Sequence, residues 1–155
     1  MDTQSDASFF DVGDDTALVC IDNEQFQKIV VPQLIDLNYK VNVALSEEDL
    51  LQKLRAYSYH VIVIYEHFKG STLANNPVLS ELGQRPSSDR RSHFVVLLTH
   101  RFATNDPMSA FALSVDLTVN VADLANLKPV LRRGVVQHRE MYHSFHSTLK
   151  TARAM

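Results

Sequence analysis

Five short apolar runs recur along the chain, separated by stretches that are each long enough to hold a helix. The runs are rich in β-branched residues, which is typical of strands buried on both faces of a sheet. Their positions are Ala17 to Ile21, Lys40 to Ala44, Val61 to Tyr65, Phe94 to Leu98, and Leu117 to Val121. Because strands and helices alternate, we expect parallel strands joined by right-handed crossovers. The predicted fold class is α/β, with three layers and helices on both faces of a five-stranded parallel sheet.

Polar capping residues mark the start of two of the connecting helices. Ser46 precedes three acidic residues and a leucine pattern, which predicts a helix that ends near Tyr57. Asp106 stands before Pro107 and predicts a second N-cap. Between the first two runs, apolar residues from Phe26 to Leu37 have helical spacing, and Pro32 within them predicts a kink or a boundary.

Composition limits the classes of function. The chain has 155 residues, 45% of them hydrophobic, which predicts one domain over residues 16–155 after an acidic lead-in at 1–15. A net charge of -3 without an extended basic cluster argues against nucleic-acid binding. The acidic start is unlike a signal peptide, and no apolar run approaches the roughly 20 residues that a membrane-spanning helix needs. The single cysteine, Cys20, lies in an apolar run, which predicts a buried, inert thiol in a cytoplasmic protein.

The last part of the chain has apolar or histidine residues spaced alternately four and three apart. They are Leu131, Val135, His138, Tyr142, Phe145 and Leu149. A helix over 127–150 would be roughly 36 Å long, more than one face of a small domain covers. Either its first half packs on the sheet and the remainder frays, or the distal half pairs with a partner helix. We expect the second outcome, a homodimer whose interface uses this stripe.

Three local sequences resemble a known family when they are taken in order. Ile21-Asp22-Asn23-Glu24 resembles the acidic pair that closes the first strand and holds magnesium in the receiver domains of bacterial two-component response regulators. Leu97-Leu98-Thr99-His100 resembles the end of their fourth strand, where a threonine or serine contacts the phosphoryl group. Ala110 to Asp116 resembles the helix and turn before their fifth strand. The resemblance covers residues 16–140 and implies a flavodoxin-like, doubly wound sheet of strand order 2-1-3-4-5, extended by the C-terminal helix.

The positions that carry receiver chemistry depart from this family. The alignment places Tyr65 at the phosphoacceptor position, and a phenol cannot form the acyl phosphate that aspartate forms. Glu66 follows on the opposite face of the strand, so we expect it to point away from the site. The family's lysine falls at Val121 and its aromatic switch residue at Thr118. Since Asn23 also replaces a carboxylate, we expect no metal, no cofactor and no enzymatic activity.

Several alternatives stay open at the site. A shift of one residue would place Glu66 at the acceptor position, where its carboxylate could mimic a phosphorylated state. Tyr65 could simply fill the vacated pocket, and Asp22 and Asn23 could either keep some ligand binding or cap the following helix. Thr99 is expected to be a strand-end hydroxyl that is satisfied by the backbone.

The sequence therefore predicts a pseudo-receiver that works by binding a protein partner in bacterial signalling, without phosphorylation, nucleic acid or membrane insertion. One alternative is a small-molecule binder that uses Asp22, Tyr65 and Thr99 in the strand-end crevice. The other is an atypical response regulator that still accepts phosphate.

Overall fold

The computed structural model describes residues 15–84 and 93–154, and for residues 142–154 it describes the helical backbone. Apart from Asp15, the predicted acidic lead-in lies outside the described residues. The elements in chain order are β1 (Thr16–Cys20), α1 (Glu24–Asp36), β2 (Lys40–Val43), α2 (Glu47–Ala56), β3 (Val61–Tyr65), α3 (Pro77–Gly83), β4 (Phe94–Thr99), α4 (Pro107–Leu113), β5 (Leu117–Asn120) and α5 (Leu127–Ala154). Short 3₁₀ turns occupy Phe68–Gly70 and Val121–Asn126.

The strands form one parallel sheet in the order β2-β1-β3-β4-β5, which confirms the predicted fold class and strand order. The central strands β1, β3 and β4 are buried throughout, as their apolar runs predict. One face of the sheet packs under α1 and α5, and the opposite face packs under α2, α3 and α4. The side chain of Cys20 is fully buried in the second of these layers, and burial raises the pKa of its thiol.

Local chemistry accounts for where the predicted helices begin. The Ser46 hydroxyl accepts a hydrogen bond from the Asp49 N–H at 3.0 Å, and the Asp106 carboxylate accepts one from the Ser109 N–H at 3.4 Å. Both predicted N-caps are therefore confirmed. Helix α1 runs through Pro32 without ending, so the boundary predicted as one alternative at that residue is wrong.

The first half of α5 belongs to the core of the domain. Leu127 and Leu131 are fully buried, Val135 is nearly so, and all three pack with the sheet. The helix also approaches the start of β4 closely at Gly134, where an added Cβ would lie 2.9 Å from the Phe94 ring. The ring of His138 meets the same Phe94 edge to face, with centroids 5.4 Å apart.

These contacts correct part of the interface prediction. Leu131, Val135 and His138 were expected at an intermolecular surface, but they pack against their own sheet. The reason is that a stripe with this spacing covers a sheet as readily as it covers a partner helix. The side chains of Tyr142, Phe145 and Leu149 lie outside the described part of the chain.

Candidate functional site

The carboxyl ends of β1, β3 and β4 meet at one edge of the sheet, where open parallel sheets commonly place their sites. The strand-end residues there are Asp22, the Tyr65-Glu66 pair and the Thr99-His100 pair. Tyr65 and Glu66 alternate across the sheet, so their side chains belong to different layers.

Glu66 is buried at this edge, with its side chain only 2% exposed. The Thr99 hydroxyl donates to its Oε1 at 2.7 Å, and the backbone N–H of His100 donates to its Oε2 at 3.0 Å. The expectation that Glu66 points away from the site is wrong. The register explains the difference, since β3 and β4 pair with Tyr65 opposite Leu98, which brings Glu66 beside Thr99 on the same face.

The hydroxyl of Thr99 is used in two directions. It donates to the Glu66 carboxylate and accepts from the backbone N–H of Arg101 at 3.0 Å. The expected backbone contact is therefore present, and the Glu66 carboxylate is a second partner that the sequence interpretation did not include. Thr99 instead ties a buried carboxylate to the turn that follows β4.

Tyr65 lies in the other layer, under α1, and is only 9% exposed. Its ring meets the ring of Phe26 edge to face, with centroids 5.2 Å apart. Its hydroxyl lies 2.8 Å from Nε2 of His100. Burial raises the pKa of the phenol, and the negative charges of Glu66 and Asp22 raise it further, so Tyr65 remains protonated at neutral pH.

The polar residues after β1 are engaged in local hydrogen bonds. The Asp22 carboxylate accepts from the backbone N–H of Lys69 at 2.9 Å, and Lys69 reaches it from a left-handed conformation with φ 54°. The Asn23 side chain accepts from the Phe26 N–H at 3.1 Å and is the N-cap of α1. Glu24 is exposed in the first turn of that helix.

Magnesium, which receivers hold at this edge, does not fit these residues. The ion requires several oxygen ligands that converge on one point in octahedral geometry. Here each of these groups is already engaged elsewhere: Asn23 caps α1, Asp22 accepts a backbone N–H, and the Glu66 carboxylate accepts from Thr99 and His100. Among the described side chains, no three His, Cys, Asp or Glu residues gather as a metal site would require.

Thr118 and Val121 stand where the family's aromatic switch residue and lysine are expected, and neither offers an aromatic ring or a positive charge. Val121 starts a 3₁₀ turn and packs against the apolar layer under α1 and α5. Thr118 is fully buried; its hydroxyl donates to the carbonyl of Ala103 at 2.9 Å and accepts from the N–H of Asp106 at 3.0 Å. Thr118 therefore holds the loop between β4 and α4 in place.

The loop from β3 to α3 contributes residues that the sequence interpretation did not assign. The Asn76 side chain caps α3 by accepting from the Val78 N–H at 3.0 Å, and it donates to the Ser71 hydroxyl at 3.2 Å. That hydroxyl donates to the carbonyl of Glu66, also at 3.2 Å. The Asn76-Pro77 pair is a recognisable helix start, but its link to Glu66 depends on the path of the loop.

His67 and His100 were also without an assigned role. Their rings stack at 5.8 Å between centroids, and the ring of Tyr65 meets each of them edge to face. Only their place within two residues of the ends of β3 and β4 could have drawn attention to them.

An open cleft lies elsewhere on the surface, next to the starts of α2 and α3. Its volume is about 560 Å³, and it is lined by Glu47, Leu73, Ala74, Asn75, Asn76, Pro77, Leu79 and Ser80. Asp22, Tyr65 and Thr99, which the small-molecule alternative requires, do not line it.

In the part of the chain that the structure describes, no helix is both long and apolar enough to span a membrane.

No protein-family model and no curated protein matches the chain. Solved structures do match. The receiver domain of a DNA-binding response regulator from Colwellia psychrerythraea 34H has a TM-score of 0.60 at 16% identity, over 77% of this chain and 97% of that one. HP1043, an orphan response regulator of H. pylori, has a TM-score of 0.58 at 14% identity, over 79% of this chain and 98% of that one.

The receiver domain of an HD domain-containing protein from Pseudomonas fluorescens Pf-5 has a TM-score of 0.59 at 17% identity, over 86% of this chain and 96% of that one. Structural similarity at identities this low establishes the fold but leaves the function open. The strand order and these similarities agree, and the chain has the flavodoxin-like fold of a response-regulator receiver domain.

Proposed function

We propose that this receiver-like domain is a pseudo-receiver, a non-catalytic module of bacterial signalling that contacts protein partners and does not depend on phosphorylation. The observation that carries the proposal is the buried Glu66 carboxylate, which already accepts hydrogen bonds from the Thr99 hydroxyl and the His100 N–H. In receivers, the resemblance implies that a phosphoryl group makes the contact with this threonine.

Neither residue at the end of β3 is suited to accept a phosphoryl group. Tyr65 is a buried, protonated phenol held against His100. Glu66 is a carboxylate, but a phosphodonor would have to displace the donors that hold both of its oxygens, in a site with almost no exposure. Val121 also offers no positive charge to a phosphoryl group at this edge.

Glu66 instead keeps, in this proposal, the hydrogen-bond donors beside the end of β4 occupied at all times. A buried carboxylate that is hydrogen-bonded on both oxygens is stable there, whereas the loss of one partner would leave a costly unpaired group. The strand edge thus stays in one state, and the output is read through protein contacts.

Incubation with acetyl phosphate and magnesium tests the proposal, with intact mass as the readout and an active receiver domain as the positive control. We expect the mass of this chain to stay unchanged while the control gains one phosphoryl group. A stoichiometric gain on this chain would overturn the proposal. Glu66→Gln and Tyr65→Phe variants would then identify the acceptor.

We also propose that the domain forms a homodimer through the distal part of α5. The helix has 28 residues and is therefore about 42 Å long, whereas β4 has six residues and spans about 20 Å. The buried residues Leu127, Leu131 and Val135 all lie in its first nine positions. The sequence stripe continues at Tyr142, Phe145 and Leu149, and two-fold pairing of identical helices is the simplest way to cover it.

A further inference from the structure

We infer that the outward side of α4 docks an apolar, positively charged segment of a partner protein. This surface consists of Pro107, Met108, Phe111 and Ala112, which are all exposed, and we call it the α4 face. The inference rests on the proposed function, in which the domain contacts protein partners. It adds the surface that makes the contact and the chemistry of the segment that fits it.

Phe111 and Met108 are the most exposed large apolar side chains in the described part of the chain. Phe111 is 85% exposed and Met108 is 78% exposed. They stand three positions apart on one helix, so they are neighbours on its surface. The apolar layer beneath α4 takes Ala110 and Leu113 from this helix and neither of these two side chains. Packing of the domain therefore does not account for them.

Helix α4 also lacks the charged outer side that a surface helix ordinarily has. Its seven residues, Pro107–Leu113, include no charged side chain. Surface helices usually turn charged and polar residues toward water. Helix α2 on the same side of the sheet does so with Glu47, Glu48 and Arg55. Grouped apolar side chains that stay exposed typically mark a surface that binds a partner.

The charges that border the α4 face have one sign. Residues 102–127 contain three aspartates and no lysine, arginine or histidine. Asp106 stands at the start of α4, and Asp123 accepts a hydrogen bond from the loop that precedes the helix. The third, Asp116, lies 3.9 Å from Nδ1 of His138 on α5. An apolar surface with a negative border results.

This border decides which occupant fits. Two copies of the α4 face set against each other would bring Asp106 and Asp123 close to their own counterparts, which like-charge repulsion opposes. The phosphates of a nucleic acid or of an anionic lipid would meet the same repulsion. A protein segment that carries apolar side chains between lysines or arginines complements both the apolar centre and the acidic border.

Two synthetic peptides test this inference on the nitrogen-15-labelled full chain. One is an amphipathic helix of leucine and lysine, and the other has glutamate in place of every lysine. In NMR titrations we expect the leucine–lysine peptide to shift the backbone signals of residues 107–113, and the leucine–glutamate peptide to leave them unchanged. Added salt should weaken the binding, because exposed charges are screened. The charge is varied in the peptide because Asp106 also caps α4.

Phe111→Ala tests the surface itself, since alanine favours a helix and the replaced ring lies outside the apolar layer. Its affinity for the leucine–lysine peptide should fall roughly tenfold or more, as it does when a central aromatic anchor is truncated. Ile35→Ala is the matched control, because Ile35 is 55% exposed on α1, on the opposite side of the sheet. This control should bind as the wild type does, and both variants should unfold at the wild-type urea concentration.

Equal binding of the two peptides would overturn the inference, and so would shifts that persist unchanged in Phe111→Ala. A fall in the mass of the chain by light scattering on Phe111→Ala would show that a second copy covers the face. Binding to phosphatidylcholine vesicles that this variant loses would assign the face to a membrane; both results contradict the inference. None of these measurements uses a phosphodonor, so they are independent of the test of phosphorylation.

Discussion

The side chain of Gln33 in α1 bridges Leu124, in the 3₁₀ turn before α5, and Lys128, in the first turn of α5. Its Oε1 accepts from the backbone N–H of Lys128 at 2.8 Å, and its Nε2 donates to the carbonyl of Leu124 at 2.7 Å. One amide thus satisfies two backbone groups at a junction where the 3₁₀ turn passes into the helix. The Lys128 N–H lies in the first turn of α5, where backbone donors have no partner within the helix. The Leu124 carbonyl also accepts from the Leu127 N–H, so the Gln33 amide adds a second donor to it.

Replacing Gln33 with alanine should lower the free energy of unfolding by about 1–3 kcal/mol, because the partly buried Lys128 N–H loses its acceptor and the Leu124 carbonyl loses one of its two donors. Gln25 is exposed on the same helix, and its alanine variant is the matched control, with an expected change within about 0.5 kcal/mol. Urea denaturation measures both values. Equal changes in the two variants would show that the Gln33 bridge does not stabilise the start of α5.

Gly134 should resist substitution although it lies inside a helix. Alanine ordinarily stabilises a helix interior by about 1 kcal/mol relative to glycine. At this position the added Cβ would lie 2.9 Å from the Phe94 ring, and such overpacking costs about 1–3 kcal/mol. We therefore expect Gly134→Ala to be destabilising in thermal or urea unfolding.

Gly83 offers the control for this substitution, since a Cβ there would have no neighbour within 4 Å. Gly83→Ala should be neutral or mildly stabilising. Combining Gly134→Ala with Phe94→Leu should recover part of the loss in a double-mutant cycle. Strictly additive effects would contradict a clash between the helix and this ring.

The proposed dimer predicts that light scattering reports twice the mass of the chain. The double variant Tyr142→Glu with Phe145→Glu should be a folded monomer, because it places charges in the stripe that would pair. Gln137→Glu, an exposed position on the same helix and outside the stripe, should stay dimeric. A wild-type chain that is monomeric at high micromolar concentration would reject self-association.

Stability should decline in alkaline solution because of buried tyrosines. Burial raises the pKa of Tyr59 to about 12, although a hydrogen bond from Asn42 opposes the shift. Burial also raises the pKa of Tyr39 and of Tyr65. The folded state therefore binds these protons more tightly than the unfolded state does, whose phenols titrate near about pH 10.

The stabilisation is complete below that pH and is lost as pH rises toward the pKa values of the folded state. Denaturant unfolding at a series of pH values from neutral to strongly alkaline should show this decline. Tyr59→Phe should weaken the pH dependence while lowering stability at neutral pH, because Asn42 loses its hydroxyl partner. A flat profile in the wild-type chain would contradict the prediction.

The sequence predicted the sheet well, because a strand buried on both faces leaves a continuous apolar run. All five runs match their strands to within one residue at each end. The two capped helices were also predictable, since Ser46 and Asp106 act on backbone groups only three residues away. Capping contacts of this kind can be predicted from the sequence because the two residues are close together in the chain.

The contacts at the strand edge were harder to predict, because they depend on register and on loop geometry. Alternation correctly separates Tyr65 from Glu66, but only the pairing of β3 with β4 brings Thr99 to the side of Glu66. The stacking of His67 on His100 depends on the path of the loop between β3 and α3, in which Lys69 has a left-handed conformation. The apolar spacing on α5 wrongly predicted an interface at Leu131 and Val135, because the same spacing fits packing on the sheet and packing on a partner helix.

The hydrogen bond from the Lys69 N–H to Asp22 has a further consequence for this loop. The donor is part of the backbone, so the attachment does not use the Lys69 side chain. The loop that leaves β3 is therefore tied to the end of β1 through its main chain, and a replacement of the Lys69 side chain leaves the bonded atoms in place.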